Sequence, residues 1–491
     1  MKQDCQASSH AGPKFAGILA WIGVAGLAFH AAFAWAAASW FIILYLFALI
    51  QLARTNTWRK AFYSGLVVGI LIAVVRLDFF WRIFSAGAIA LWLICAFWIG
   101  LFVALARLAL RPLDPRLGWL SIPFLWCGLE YFRSELYYFR FSWLSPAFAF
   151  SGIPAQTPLN HAGTYGLGFL LMTIASAGVY FWEKSRVYTL TTLLLGIGAI
   201  RLLGLVTATT SQTTAASGSV HVAGVQMEFP TEKELLDQLD GLILKKPDTE
   251  LVVLSEYSFA EPIPEKVKEW CRHNQRYLIA GGKDPQPGNN FYNTAFVVSP
   301  AGEVVFRQVK AVPIQFFKDG LPAPEQRLWD SPWGKIGICI CYDLSYTRVT
   351  DPLVRLGAQA LIVPTMDVAD WGENQHKMHS RVAPLRAAEY GIPIFRLASS
   401  GISQWVDPSG SEIATAPWNG DGAILSAVVE MRGAGRLPFD RWLAPVATGV
   451  TVLLILLFAV RRRYAGPREP SQEGTVKQED QSSVVEKGKT L

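Results

Sequence analysis

A chain of 491 residues in which 52% of side chains are hydrophobic and only 17% charged is too apolar for an ordinary soluble protein, where about a quarter of residues carry charge. The net charge of +6 comes from basic residues that sit beside apolar runs, which excludes a nucleic-acid footprint and reads instead as membrane topology signals. Six cysteines, Cys5, Cys95, Cys127, Cys271, Cys339 and Cys341, have neither the spacing of a zinc site nor the density of a disulfide scaffold.

Residues 15–53 contain no charge at all, whereas 228–275 and 464–491 are dense in Lys, Glu and Asp. Two solvents are implied. Apolar stretches long enough, or nearly so, to cross about 30 Å of hydrocarbon occur near 15–31, 37–53, 61–75, 85–106, 117–132, 165–182, 188–206 and 442–460, eight candidates in all. The first runs through His30 into the second without a charged break or a cleavage site, so it is expected to stay in the mature protein.

The distribution of Lys and Arg in the short loops orients these spans. With Lys2 and Lys14 in the cytoplasm, the next cytoplasmic loops carry Arg54, Arg59 and Lys60, then Arg107, Arg111 and Arg116, then Lys184 and Arg186. The seventh span then leaves the membrane near Thr207, and the eighth returns Arg461, Arg462 and Arg463 to the cytoplasm. The region from about 218 to 435 lies outside. The expected organisation is therefore a membrane domain over 1–217 with about seven helices, an extracytoplasmic domain over 218–435, a closing helix within 436–463, and a disordered cytoplasmic tail over 464–491, where apolar periodicity disappears.

From Ser219 the pattern changes to short β-branched runs such as VHVAGVQM, ELVVLSEY, KIGICICY and QALIVPT, with helical patterns between several of them. This predicts an α/β domain with its own core. Three of its residues end predicted strands: Glu256 in LVVLSEY, Lys310 in EVVFRQVK and Cys341 in ICICYD. Strand ends are where α/β folds build sites. A carboxylate, an ammonium and a thiol brought together there would make a covalent catalyst, the first taking the thiol proton, the second stabilising an oxyanion and the third attacking a carbonyl. Read without that convergence, Glu256 and Lys310 are strand-end charges and Cys341 a buried thiol. His376 and His379 could share a helix face, but no acidic or cysteine partner stands at metal-ligand spacing, so no metal site is expected.

The words around these residues resemble a known family. GICICYDLSYTRVTDPLVRLGAQALIVPT is similar to the cysteine elbow of the nitrilase superfamily, and LVVLSEYSF and NNFYNTAFVVSPAGEVVFRQVK resemble its glutamate and lysine segments. WGENQHKMHSRVAPLRAAEYGIPIFRLASSGISQWVDPSG and the outer segment EYFRSELYYFRFSWLSPAFAFSGIPAQTPLNHAGTYG are similar to one branch, the apolipoprotein N-acyltransferases. The resemblance implies a polytopic helical bundle of about eight spans carrying an αββα-sandwich nitrilase-like domain in the periplasm, anchored in a bacterial inner membrane. It further implies a Glu256–Lys310–Cys341 triad that takes an acyl chain from a phospholipid as a thioester and passes it to the α-amino group of an S-diacylglyceryl cysteine on an apolipoprotein. Tyr342, Asp343 and Trp371 are the implied substrate-binding or supporting residues, and no metal or organic cofactor is called for.

The sequence departs from that branch at identifiable points. Aligned on Val312 and Pro313, the family's lysine falls on Gln308; counted eight residues from the hairpin glycine Gly302, it falls on Lys310. The hairpin count is preferred because a turn sets strand register, and residues 308 and 310 share a strand face in either case. Phe316 stands where the branch places an auxiliary glutamate, so that acid is expected to be missing, and CYD replaces CYE, with Asp343 the shorter acid. Those two features fit a membrane-tethered amidase that uses water as acceptor. A non-catalytic lipid-binding scaffold is the reading from another class, and a reactive Cys341 would argue against it. Cys339, two residues earlier on the same strand face, is the lesser candidate nucleophile. Trp143 and the neighbouring Tyr137, Tyr138, Phe139 and Phe141 fit an interfacial belt or a lipid entrance, and Glu130 with Arg133 fits a structural i, i+3 pair.

Overall fold

A computed structural model describes residues 15–110, 115–210 and 216–464. Cys5 and the expected tail beyond Tyr464 lie outside the described residues. Residues up to Thr451 form one compact unit, and Val452 onward forms a second, whose described part is the last turns of the helix Asp440–Tyr464.

Among the described residues, seven helices are long and apolar enough to cross a membrane: Phe15–Ala34, Ala36–Ala53, Trp58–Arg76, Gly87–Leu110, Leu159–Trp182, Arg186–Thr207 and Asp440–Arg461. The remaining expected span corresponds to Pro115–Tyr131, a helix of 17 residues that passes directly into a π-turn at Phe132–Leu136. The π-helical residues continue it as far as Leu136, and the chain becomes extended at Tyr137. In lipid, helices associate through close packing, and Trp58–Arg76 shows how. A Cβ on Gly69 would lie 2.5 Å from Ala96 Cα, and one on Gly65 would lie 3.0 Å from Gly100 Cα. Between that helix and Gly87–Leu110, the short helix Phe79–Phe84 is capped by Asp78, which accepts from the Phe79 N–H at 2.9 Å. It turns Phe79, Phe80 and Phe84 toward the other domain.

That domain is built on twelve strands: β1 (Gly218–Val225), β2 (Leu251–Val253), β3 (Tyr277–Gln286), β4 (Asn290–Val298), β5 (Val304–Val309), β6 (Leu328–Ser331), β7 (Gly334–Ile338), β8 (Ala360–Thr365), β9 (Ile394–Ala398), β10 (Ser403–Val406), β11 (Glu412–Ala416) and β12 (Ile424–Met431). They form two six-stranded sheets, in the orders β12-β1-β2-β3-β4-β5 and β11-β10-β9-β8-β7-β6. The inner faces meet through Val220, Val222, Leu251, Val253 and Ile279 on one side and Ile336, Ile338, Ile362, Phe395 and Leu397 on the other. Ala223, Val225, Val252 and Leu278 face outward onto the helices Glu232–Lys245 and Glu265–Asn274. Strands buried on both faces read as continuous apolar runs, which is the pattern of LVV and ALIVPT. Helices outside two stacked sheets give the expected αββα sandwich.

Buried polar side chains seat the sandwich on the helices. Glu135 Oε1 accepts from the Thr347 N–H and hydroxyl, both at 2.9 Å, and from Tyr165 OH at 2.9 Å. Glu389 Oε1 accepts from the Thr164 N–H at 2.9 Å, and Arg441 Nε donates to Asp351 Oδ2 at 2.7 Å. Removing one member of such a set leaves its partners buried and unsatisfied.

Candidate active site

Each triad residue follows a strand of the central pair of sheets. Glu256 stands three residues after β2, Lys310 immediately after β5, and Cys341 three residues after β7, at the start of a 3-10 turn over Cys341–Ser345. Cys341 has φ of +54°, a left-handed conformation that is uncommon for a residue with a side chain. The turn is held from behind: Arg386 donates to the carbonyls of Leu344 at 3.1 Å and Ser345 at 2.8 Å, and Trp143 Nε1 donates to Ser345 Oγ at 3.0 Å.

The three side chains come together in a buried cluster. Lys310 Nζ donates to Glu256 Oε1 at 2.7 Å and to Asp319 Oδ2 at 2.7 Å. Asn293 Nδ2 bridges the same two carboxylates at 2.6 and 3.0 Å. The Met366 N–H donates to Glu256 Oε2 at 2.9 Å, while the Met366 carbonyl lies 3.5 Å from Cys341 Sγ. Tyr257 OH and the Ile314 N–H, each at 2.7 Å, complete the shell of Asp319.

The charges follow from this arrangement. Burial pushes the Cys341 thiol well above its ordinary range, Glu256 pushes it further, and Lys310 only partly offsets them. A nucleophile at this position would therefore rest as a neutral thiol and need a base. Burial also raises Glu256, against the pull of Lys310, which suits a carboxylate that must accept a proton and return it. Burial alone would lower Lys310, but Glu256 and Asp319 outweigh it and keep the ammonium charged. Burial would raise Asp319, and the same ammonium holds it below the usual carboxylate range.

Gly281 on β3 lets this happen. A Cβ there would meet Glu256 Cα at 2.6 Å and Tyr257 N at 2.7 Å, both backbone atoms that cannot swing aside. Gly281→Ala is expected to cost about 1–3 kcal/mol and to slow chemistry by displacing Glu256; thermal unfolding and the rate of Cys341 acylation, measured together, check it.

The remaining predicted residues fall in different places. Asp343 holds the segment after Lys310: its Oδ1 accepts from the Val312 N–H at 2.7 Å and its Oδ2 from the Ala311 N–H at 3.0 Å. Its contacts are those of a supporting residue, so its being shorter than glutamate bears on the position of this segment. Tyr342 braces the elbow, with its OH 3.3 Å from the Arg140 carbonyl and its ring edge-on to Tyr346 and Trp143. Half-buried Trp371 lines the cavities on both sides of the cluster. Gln308 bonds to the Val309 carbonyl and Gln326, so Lys310 is the residue beside Glu256. Cys339 is fully buried and lines neither cavity. Among the described residues no cluster suited to a metal ion is found.

One expectation is corrected. Phe316 does occupy the position counted from Pro313, 68% exposed and stacked on Phe139 at the rim of the apolar cavity, yet an acid that bonds Lys310 is present three residues later as Asp319. A loop need not conserve register to deliver a carboxylate to the same ammonium. Sequence reasoning also misses Asn293, which reads as part of a strand. The dipeptide of asparagine and threonine inside an apolar run is the available signal, since a buried amide needs partners.

Two cavities meet at the cluster. One, of about 140 Å³, is almost wholly apolar and runs from Phe79, Phe84, Leu91 and Ile94 of the helical part to Cys341. The other, of about 490 Å³, is lined by Glu256, Tyr257, Lys283, Lys310, Lys318 and Asp319. Met366 and Trp371 stand beside it, and Phe317 lines both.

Burial lifts Asp343 to about 6 in spite of its backbone donors. As pH falls, Glu256 becomes protonated and ceases to be a base, and Asp343 becomes protonated and loosens its grip on Ala311 and Val312. Both act in the same direction, so the acylation rate is expected to fall on acidification, and Asp343 adds its own proton to that fall near pH 6. Asp343→Asn should reduce that limb to a single proton with a lower plateau, and a pH–rate profile of the two proteins tests it; an unchanged slope would assign the limb to Glu256 alone.

Comparison with known proteins follows the same division. Residues 221–437 match the carbon-nitrogen hydrolase family, and residues 16–177 match the apolipoprotein N-acyltransferase N-terminal domain. An apolipoprotein N-acyltransferase of Shewanella oneidensis is 25% identical over 458 residues, covering 82% of this chain and 85% of that protein. One of Geobacter metallireducens is 24% identical over 78% of this chain and 81% of its own length. A deaminated glutathione amidase of Dictyostelium discoideum is 26% identical over 41% of this chain and 69% of that protein. Among solved structures, Saccharomyces cerevisiae Nit3 aligns with 53% of this chain and 98% of its own, at 20% identity and a TM-score of 0.38. With one domain matched in each half and relatives that share this order over most of their length, the chain belongs to the carbon-nitrogen hydrolase superfamily, in the branch that carries the apolipoprotein N-acyltransferase N-terminal domain.

Proposed function

We propose that the protein is an apolipoprotein N-acyltransferase of a bacterial inner membrane, with its catalytic domain in the periplasm. It moves an acyl chain from a phospholipid to the α-amino group of an S-diacylglyceryl cysteine by way of a thioester on Cys341. The observation that carries the reading is that the Cys341 thiol ends an apolar cavity reaching into the helices, while Glu256 and Lys310 of the same cluster line a polar one. A lipid tail fits the first, and an amine-bearing acceptor fits the second. The catalytic domain's place outside the cytoplasm rests on the Lys and Arg residues of the short loops.

In the first half-reaction Glu256 takes the Sγ–H proton as sulfur attacks the ester carbonyl. Lys310 Nζ, with the Tyr342 N–H, steadies the oxyanion. The C–O bond breaks, and the departing alkoxide recovers the proton from Glu256 and leaves as lysophospholipid. In the second, the acceptor amine attacks the thioester, Glu256 takes the amine proton, the C–S bond breaks, and the thiolate is reprotonated. An ester and an amine thus become an alcohol and an amide with no cofactor consumed. Holding both substrates at one membrane surface replaces diffusion in three dimensions with a far smaller search.

The test is to incubate the full chain with phospholipid labelled in its acyl group, denature it, and look by mass spectrometry for hydroxylamine-labile label on Cys341. Label that is absent in Cys341→Ala and chases onto a diacylglyceryl-cysteine peptide supports the reading. Label that chases only to water supports a tethered amidase-like hydrolase, and no label removes the acyl-transfer reading.

A further inference from the structure

The lining of the apolar cavity includes the polar side chains Gln315, Gln375 and His379, and one charged one. Of the residues lining it, Arg140 alone carries a permanent charge. Its Nε and Nη1 are buried and have no hydrogen-bond partner, although its own carbonyl is well used, accepting from Tyr342 OH and Tyr346 OH at 3.3 Å each. His379, the other titratable base on the lining, is kept neutral by burial and is tied to Asp367 at 2.7 Å.

An unpaired guanidinium costs free energy unless an anion reaches it. The nearby acid, Glu135, whose charge is felt together with that of Arg140 at Tyr346, spends its Oε1 on Thr347 and Tyr165; its Oε2 is buried without a partner, as are Arg140 Nε and Nη1, so the two groups do not bond to each other. A second cation reinforces the first: the Arg348 guanidinium lies 5.5 Å from the centroid of the Tyr346 ring, and the charge of Arg140 bears on it. The site is therefore a planar cation with free donors inside a cavity otherwise shaped for hydrocarbon, ending at the nucleophile. The ligand that satisfies both halves has an apolar tail and a compact anion that can accept two parallel N–H bonds, and the guanidinium fork matches phosphate oxygens in that way.

We infer that Arg140 receives the phosphodiester of the acyl donor and so makes the cavity select glycerophospholipids over uncharged glycerolipids. This deepens the acyl-transfer reading and rests on it for the word donor, but the binding preference can be measured without any acyl transfer. Ether-linked lipids fill the cavity and cannot acylate Cys341, so their occupancy is read from protection of Cys341 against iodoacetamide, followed by peptide mass spectrometry on the full chain in an uncharged detergent.

A diether glycerophospholipid is expected to protect the wild type at about tenfold lower concentration than a dialkylglycerol, the size of one charge-assisted contact. R140Q should abolish that preference while leaving protection by the dialkylglycerol unchanged, and R140K should keep part of it. Equal protection of the wild type by both lipids overturns the assignment. So does an R140Q protein that retains the preference, or one that loses protection by both lipids alike, which is the signature of a structural role. If the preference holds but ester-linked phospholipid never labels Cys341, the acyl-transfer reading fails and the assignment of Arg140 stands.

Discussion

Glu256→Gln is expected to slow thioester formation on Cys341 by about three orders of magnitude while the protein stays folded. The thiol is buried and raised well above its ordinary range, so very little thiolate exists without a base. Glutamine keeps the shape of the side chain and can still accept from Lys310 and Asn293 through its oxygen. Its amide nitrogen would then face the Met366 N–H, which now donates to Oε2 at 2.9 Å, and two donors facing each other cost about 1–3 kcal/mol. A modest loss of stability thus accompanies a large loss of rate. The measurement is the time course of labelled acyl transfer to Cys341 with thermal unfolding on the same preparation. A variant that forms the thioester at the wild-type rate would show that Glu256 is a structural ion-pair partner and that the thiol is deprotonated elsewhere.

The parts of this site that are legible in sequence alone are those governed by local rules. Lys310 is reached by counting from Gly302, because the β4–β5 hairpin ties strand register to its turn; the pairing of Thr294 with Val309 places residue 310 just beyond the ladder. Glu256 and Cys341 are legible because each ends an apolar run at a strand terminus. Asp319 is not, because its position depends on how the loop after Pro313 folds back over the site, and no periodicity governs such a loop. The neighbour of Asp343 in sequence suggests that it serves the substrate, whereas its carboxylate turns to the Ala311 and Val312 N–H groups. The helical part behaves likewise. Long apolar runs mark their own positions, but the short helix Phe79–Phe84, whose rings line the cavity, merges into the spans around it because six residues are too few to show a face.

Lys310→Met is expected to cost about 3–5 kcal/mol of stability at neutral pH and to remove measurable acyl transfer. One ammonium serves two buried carboxylates, Glu256 and Asp319, each at 2.7 Å. Without it both lose the ammonium between them while their side chains stay buried. Both would then hold protons more tightly folded than unfolded, so the variant's deficit should shrink as pH falls through the carboxylate range and grow as pH rises, the direction set by native-state proton uptake. Adding Asp319→Asn to Lys310→Met removes one of the two charges and should recover a large part of the lost stability, because an amide oxygen at that position can still accept from the Tyr257 hydroxyl. Activity should not return, since no cation remains to meet the oxyanion, a contribution worth about two to three orders of magnitude in rate. Thermal unfolding of the single and double variants at two pH values, beside the acylation assay, separates the two roles. Equal stability of Lys310→Met and wild type at neutral pH would mean that the carboxylates are not both charged, and the ammonium would then be held for catalysis alone.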